Sequence, residues 1–273
     1  MIGRIFQRPP KTPRSCCRCY SSRATPHRAL AVIPAFLTSA EQDLLLQHSL
    51  RLLDSPARTT AAGRKKRREW VKAHPEWDGR GFPPDEATVW EEGHFDGVIK
   101  QYREMLVREG QWGNEASPGT ALATVLDKVY ALLPPPPSSS SSSPGSASRA
   151  SPPSHLIMHL LHLSSTGAIH PHVDNLEAFG RTIAGVSLGG ARVMRFKQVS
   201  EPGDEGTSRD GPREFDVLLE PGSAYVQSEP LRTHYTHEVL EKAVWEGCEV
   251  GGTQRLSIML RDRLPSDVNA AGY

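Results

Sequence analysis

The tripeptide His172-Val173-Asp174 sets an imidazole and a carboxylate two positions apart. On a strand, residues i and i+2 share a face, so both side chains can reach one ion. Alone, such a tripeptide says little, because most examples face solvent or hydrogen-bond locally. A second imidazole, His237 in Thr236-His237-Glu238, lies 63 residues beyond Asp174. Two imidazoles and a carboxylate on one face leave coordination positions open, the donor set of non-haem Fe(II) centres that activate dioxygen. Zinc would call for thiolates or a third imidazole, and no suitable Cys pair is at hand. His234 is the rival for the distal position; offset by three from His237, it would face the other way on a strand. His155, His162 and His170 crowd the segment before the tripeptide, and His170 is a candidate hydrogen-bond support for a ligand.

The run Arg255-Leu256-Ser257-Ile258-Met259-Leu260-Arg261 alternates. Leu256, Ile258 and Leu260 take one face, and Arg255, Ser257, Met259 and Arg261 the other. Two guanidiniums on one sheet face are either solvated or buried at high cost unless anions neutralise them. A dicarboxylate of matching length would do so, since the Arg fork takes a carboxylate bidentately.

The elements that must position these groups divide the chain in two. Ser39 followed by Gln42 has the spacing of a capping box, and Leu44 to Leu53 continue a helical pattern, so a helix is expected over residues 40–53. Residues 54–92 are polar and include Arg64-Lys65-Lys66-Arg67-Arg68, which reads as a solvated helix face or loop or as a contact to RNA phosphates. Val98, Ile99, Tyr102, Met105 and Leu106 have i, i+3, i+4 spacing, which predicts an amphipathic helix over residues 94–109. Another helix is expected over residues 119–132. Residues 30–133 thus read as a helical support region. Residues 134–154, dominated by Pro and Ser, read as a disordered insert, since nothing there offsets the entropy of ordering.

Residues 155–265 read as strands. Short apolar or β-branched runs at 155–163, 182–188, 191–199, 214–219, 223–227, 232–240 and 255–261 alternate with turn signals such as Gly189-Gly190 and Pro221-Gly222. The fold class expected is mainly β with N-terminal helices, a sandwich, barrel or jelly roll. No Gly-rich phosphate loop or nucleophile elbow stands between a strand and a helix.

Among 273 residues the formal net charge is +1, which argues against a globally basic nucleic-acid binder. The charge is uneven: residues 1–40 hold seven Lys/Arg and no acid, leaving 25 basic and 31 acidic groups, net −6, in the remainder. A basic, acid-free, Ser-containing start without a long apolar core reads as a mitochondrial transit peptide over residues 1–20, cleaved after Tyr20. Cleavage would remove Cys16, Cys17 and Cys19, leaving Cys248, which a mitochondrial matrix keeps reduced. No apolar run is long enough to span a membrane. Residues 266–273 are a tail.

His-x-Asp, a distant His and Arg-x5-Arg, in that order, resemble the AlkB-like Fe(II)- and 2-oxoglutarate-dependent dioxygenases, and within them the mitochondrial, seventh-homologue branch. HPHVDN, RTIAGVSL, RVMRF, LLEPGSAYV, THEVL and RLSIMLR carry the resemblance, and HFDGVIKQYREM at 94–105 extends it more weakly. The resemblance implies a double-stranded β-helix, or jelly roll, with His172, Asp174 and His237 holding Fe(II) and Arg255 and Arg261 holding the two ends of the cosubstrate 2-oxoglutarate. It implies Tyr225 as a hydrogen-bonding partner of the cosubstrate, Ser257 where many relatives have Asn, and His159 as a further contact on a strand lining the same pocket. The activity implied is oxidation of a C–H bond, with 2-oxoglutarate and O2 converted to succinate and CO2. A nucleotide-gripping lid of strands is not legible ahead of the jelly roll. The leading expectation is therefore a protein substrate or a regulatory role in cell death or metabolism, by a monomer. The alternatives are an RNA demethylase using the 64–68 run and a non-catalytic metal-binding interaction module.

Overall fold

The computed structural model describes residues 25–56, 58–94, 96–135, 151–174, 180–199 and 211–263. The leader expected over residues 1–20, residues 136–150 of the expected insert and the tail over 266–273 lie outside them.

In chain order the strands are β1 (Leu30–Ile33), β2 (Glu91–Gly93), β3 (Ile99–Val107), β4 (Leu156–His172), β5 (Ile183–Gly189), β6 (Arg192–Gln198), β7 (Glu214–Leu219), β8 (Ala224–Gln227), β9 (Tyr235–Val239), β10 (Lys242–Trp245), β11 (Cys248–Gly251) and β12 (Arg255–Asp262). The helices are α1 (Ser39–Leu53), α2 (Ala61–Ala73), α3 (Ala121–Tyr130) and the single turn α4 (Leu231–His234). One sheet runs in the order β1-β8-β5-β12-β4-β9-β6-β7, with β3 also on β4 and β2 on β3, while β10 and β11 form a separate hairpin. Among the described residues all strand pairings are antiparallel.

The 17-residue β4 is the pivot. Its first half, Leu156 to Leu163, pairs with β12, and its far end, Ile169 and His172, pairs with β9. It therefore passes from one half of a curled sheet to the other, and the two halves form a jelly roll. Alternation then makes two cores. Leu160, Val186, Leu256, Ile258 and Leu260 pack outward against Leu45 and Leu53 of α1 and Leu122 and Leu126 of α3. Leu161, Leu163, Phe196, Phe215, Leu219, Tyr225 and Tyr235 point into the roll.

Two local expectations shift, and the basic run takes one of the forms expected of it. Helix α1 forms, but its capping box is Thr38 with Glu41, one residue earlier than the Ser39/Gln42 spacing: Thr38 Oγ1 accepts from Glu41 N at 3.3 Å, and Thr38 N donates to the Glu41 carboxylate at 2.7 Å. The basic run lies on a helix, α2. The amphipathic helix expected over residues 94–109 is instead a strand: Ile99–Val107 is β3, paired with β4. The pairing shifts register between Lys100 and Tyr102, where Gln101 adopts φ 50°. That irregularity returns Ile99 and Tyr102, three apart, to the same inner core, so a kinked strand displays helical spacing.

Candidate metal centre

His172 ends β4 and His237 sits in β9, and the two are direct cross-strand partners. Their rings lie 4.3 Å apart, centre to centre. Asp174 follows two residues after His172, and its carboxylate lies 3.6 Å from His237 Nε2. One nitrogen or oxygen from each of the three lies within 4.8 Å of the others. His234, the rival, is exposed on α4, whereas His237 is buried. His170 contributes through its backbone: its carbonyl receives His172 Nδ1 at 2.9 Å. With a carbonyl as partner, Nδ1 carries the proton and Nε2 keeps its lone pair.

β12 presents its faces as its alternation requires. Leu256, Ile258 and Leu260 enter the outer core, and the opposite face turns into the roll. Arg261 donates to Asp174 Oδ1 at 3.2 Å, leaving Oδ2 toward His237. Burial would raise the Asp174 pKa, but His237, Arg261, His172 and Arg232 together hold it below the ordinary carboxylate value, so it stays charged. Burial, with a contribution from His172, Arg261 and Arg232, pushes His237 down to about 4, against the pull of Asp174. His237 is thus neutral at physiological pH, the form that ligates metal.

Arg255 is 1% exposed. Its Nε donates to Ser187 Oγ at 2.9 Å, and its Nη2 to Ser257 Oγ at 3.3 Å. Both acceptors are neutral, and burial draws the guanidinium down to about 10, which still leaves it charged. A buried cation held by hydroxyls is costly unless an anion joins it. Tyr225 is buried in the same interior; burial raises its pKa while Arg255 and Arg261 pull it down and Asp174 pushes it up, so its phenol is within electrostatic reach of all three. There is no slack behind the ring: a Cβ on Gly185, the cross-strand partner of Tyr225, would lie 2.3 Å from it. His159 is pushed down to about 4 by burial and then by Arg261.

The structure therefore gathers His172, Asp174, His237, Arg261, Tyr225, Arg255 and Ser257 on the inside of the roll, with His159 within the field of Arg261. The donor chemistry suits a ferrous ion, and Arg255 suits a carboxylate. Ser187 is a residue that sequence reading passed over. Its signal was a hydroxyl alternating against Ala184, Val186 and Leu188 in an otherwise apolar strand. Asp262 was also passed over: it accepts from Arg181 N and Thr182 N, both at 2.9 Å, and so fixes the start of β5 beside β12.

A family profile described as the 2OG-Fe(II) oxygenase superfamily matches residues 29–261. Curated relatives include the Bos taurus protein named alpha-ketoglutarate-dependent dioxygenase alkB homolog 7, mitochondrial, 30% identical over 174 residues, covering 63% of this chain and 65% of that protein. The Mus musculus protein of the same name is 34% identical over 106 residues, covering 38% of this chain and 44% of that one. The chain thus matches less than two thirds of the length of either relative. Among solved structures, that of OsALKBH1 shares 13% identity at a TM-score of 0.47, covering 88% of this chain and 100% of that one. A Trichoplax adhaerens prolyl hydroxylase in complex with a hypoxia inducible factor peptide shares 12% identity at a TM-score of 0.45, covering 90% and 87%.

Proposed function

The chain belongs to the 2OG-Fe(II) oxygenase superfamily, whose cofactor and cosubstrate are Fe(II) and 2-oxoglutarate, and on that premise we propose that it is a dioxygenase of the AlkB type. Ferrous iron, when bound with 2-oxoglutarate, supplies oxidation of a C–H bond, while O2 and 2-oxoglutarate go to succinate and CO2. His172, Asp174 and His237 would hold the ion. The His170 carbonyl keeps the His172 proton on Nδ1, and Arg261 turns one Asp174 oxygen away so that the other faces the centre. Arg255 binds the far carboxylate of 2-oxoglutarate, with Ser187 and Ser257 setting its fork and Tyr225 adding a phenol. Arg261 would serve the cosubstrate's other end. His159, held neutral by burial, is a further contact. The burial of Arg255 on neutral partners is the observation that carries this reading, because it leaves a guanidinium waiting for an anion.

For the substrate we favour a protein side chain or a regulatory role, supported by the net charge of −6 over residues 41–273, which disfavours a nucleic-acid polyanion. The strands β2 and β3 ahead of the roll remove an all-helical lead-in as a further argument. The leader over residues 1–20 would direct the chain to the mitochondrial matrix, in keeping with relatives named mitochondrial. The test is Fe(II)-dependent conversion of 2-oxoglutarate to succinate by the purified chain. Turnover is expected in the parent and not in His172→Ala; equal turnover in both rejects the assignment. Mass spectrometry of protein and RNA modifications in cells lacking the protein then separates the two substrate classes.

A further inference from the structure

A charged cavity, of about 360 Å³, lies between α2 and the β2–β3 pair. Its walls include the guanidinium-bearing residues Arg58, Arg64, Arg67, Arg68 and Arg103. Three carboxylate residues, Asp54, Glu91 and Glu104, also line it, so the excess is two positive charges. The carboxylates do not neutralise the arginines evenly. Asp54 is taken twice, by Arg67 at 3.1 Å and by Arg103. Arg58 and Arg64 spend hydrogen bonds on backbone carbonyls, Arg58 on Glu104 O at 2.6 Å and Arg64 on Thr59 O and, at 3.5 Å, Pro56 O.

The helix that forms one wall is charged against its own dipole. The N-terminal end of a helix carries partial positive charge and favours anions. Helix α2 has no acid in its first turn, and Arg64 to Arg68 put five cations into its first eight residues. Its N-cap, Thr60, and Gly63 both line the cavity. Arg64 and Arg68 are one turn apart, about 5–6 Å between Cβ atoms, so their forks can take two neighbouring acidic groups. An anion here would relieve repulsion among the cations and match the helix end at once. The volume is at the small-ligand end of binding cavities.

We propose that this cleft binds a small ligand carrying two linked phosphates, with Arg64 and Arg68 as its principal contacts and Arg58 as a third. Guanidinium forks match phosphate oxygens bidentately, and a pyrophosphate group spans two of them where one orthophosphate meets only one. None of the cleft's lining residues is among those placed at the metal or the cosubstrate, although Glu104 on its wall lies within the field of Arg261.

The test is calorimetric titration of the metal-free chain with inorganic pyrophosphate at constant ionic strength, with and without saturating 2-oxoglutarate. A single site is expected, at least tenfold weaker in R64Q/R68Q, and weaker in R68Q alone, whose parent side chain is exposed, so that folding is not at issue. K65Q, which alters an exposed residue paired with Glu69, should bind as the parent does. Orthophosphate should bind at least tenfold more weakly than pyrophosphate. ADP should bind in the same way as pyrophosphate if the ligand is a nucleotide, and not at all if the site takes only the bare diphosphate; either outcome supports the cleft. Competition by 2-oxoglutarate would place the anion at Arg255 and overturn the proposal. So would equal binding by parent and R64Q/R68Q, no binding by the parent, or binding of single-stranded oligonucleotide without binding of pyrophosphate.

Discussion

At the scale of single residues, Arg255 concentrates the argument. Its partners in the roll are hydroxyls, so a bound carboxylate adds charge-assisted hydrogen bonds in a site shut off from water. Hydrogen bonds to charged groups contribute about 1.5–3 kcal/mol, so Arg255→Ala should raise the KM for 2-oxoglutarate by roughly tenfold to a hundredfold in steady-state succinate assays. A KM unchanged by the substitution would remove Arg255 from the site. The buried imidazoles make a separate statement about acid. His159 and His237 titrate at about 4 in the folded chain, against 6.5 for an ordinary histidine. Between those values the unfolded chain binds more protons, so stability falls as pH drops through 6.5 toward 4 and levels off for these two groups below that. Urea unfolding of the metal-free chain from pH 7.5 to 4.5 should show this fall, and His159→Gln should make it shallower. A slope identical in the two proteins would mean that His159 is not held neutral by its surroundings.

At the scale of elements, β4 must cross from one half of the roll to the other, and it does so where β3 loses register. Gly167 lies inside that crossing: a Cβ there would meet Gln101 O at 2.6 Å and Ser164 N at 2.9 Å. Backbone atoms give way poorly, so Gly167→Ala is expected to cost about 1–3 kcal/mol, read as a lower urea midpoint. A midpoint within error of the parent would show that the crossing is slack. The same crossing explains what was legible beforehand. Strand β12 was readable because its alternation is unbroken and its two faces differ in chemistry as well as hydropathy. Strand β3 was not, because a bulge spaces Ile99 and Tyr102 like neighbours on a helix, and only the pairing with β4 decides the period. His237 could be preferred over His234 by parity, yet the structure separates them differently, by a helical turn that leaves His234 outside. The hairpin of β10 and β11 had little signal: its strands are four residues each, and Val244 within it is 76% exposed. Arg255 could be placed on the inner face from sequence, but Ser187 as its partner required knowing that β5 lies beside β12.

At the scale of the whole molecule, the centre sits at the seam. His172 and His237 belong to the half of the sheet that holds β9, β6 and β7, whereas Arg255 and Arg261 belong to the half that holds β12, β5 and β8. Asp174 links them through Arg261. A metal ion with 2-oxoglutarate would therefore tie the two halves together, and ligands that bind only the folded state stabilise it by mass action, about 2.7 kcal/mol at a hundredfold excess over Kd. Mn(II), an inert stand-in for Fe(II), should raise the Tm together with 2-oxoglutarate, and chelator should reverse the gain. In His237→Ala the pair should raise it far less; an undiminished rise there would put the metal elsewhere. No helix among the described residues is long and apolar enough to cross a membrane. The diphosphate cleft lies against α2, on the part of the chain where the sequence displayed charge without an evident partner.

The most direct measurement is an anaerobic titration of the purified chain with Fe(II) and 2-oxoglutarate, following the visible metal-to-ligand absorption band that forms when the cosubstrate chelates the ion. The band should appear in the parent with one iron per chain, weaken at a given 2-oxoglutarate concentration in Arg255→Ala, and vanish in His172→Ala and His237→Ala. A parent that develops no band, or histidine variants that develop the same one, would contradict the assignment of the iron to these three side chains.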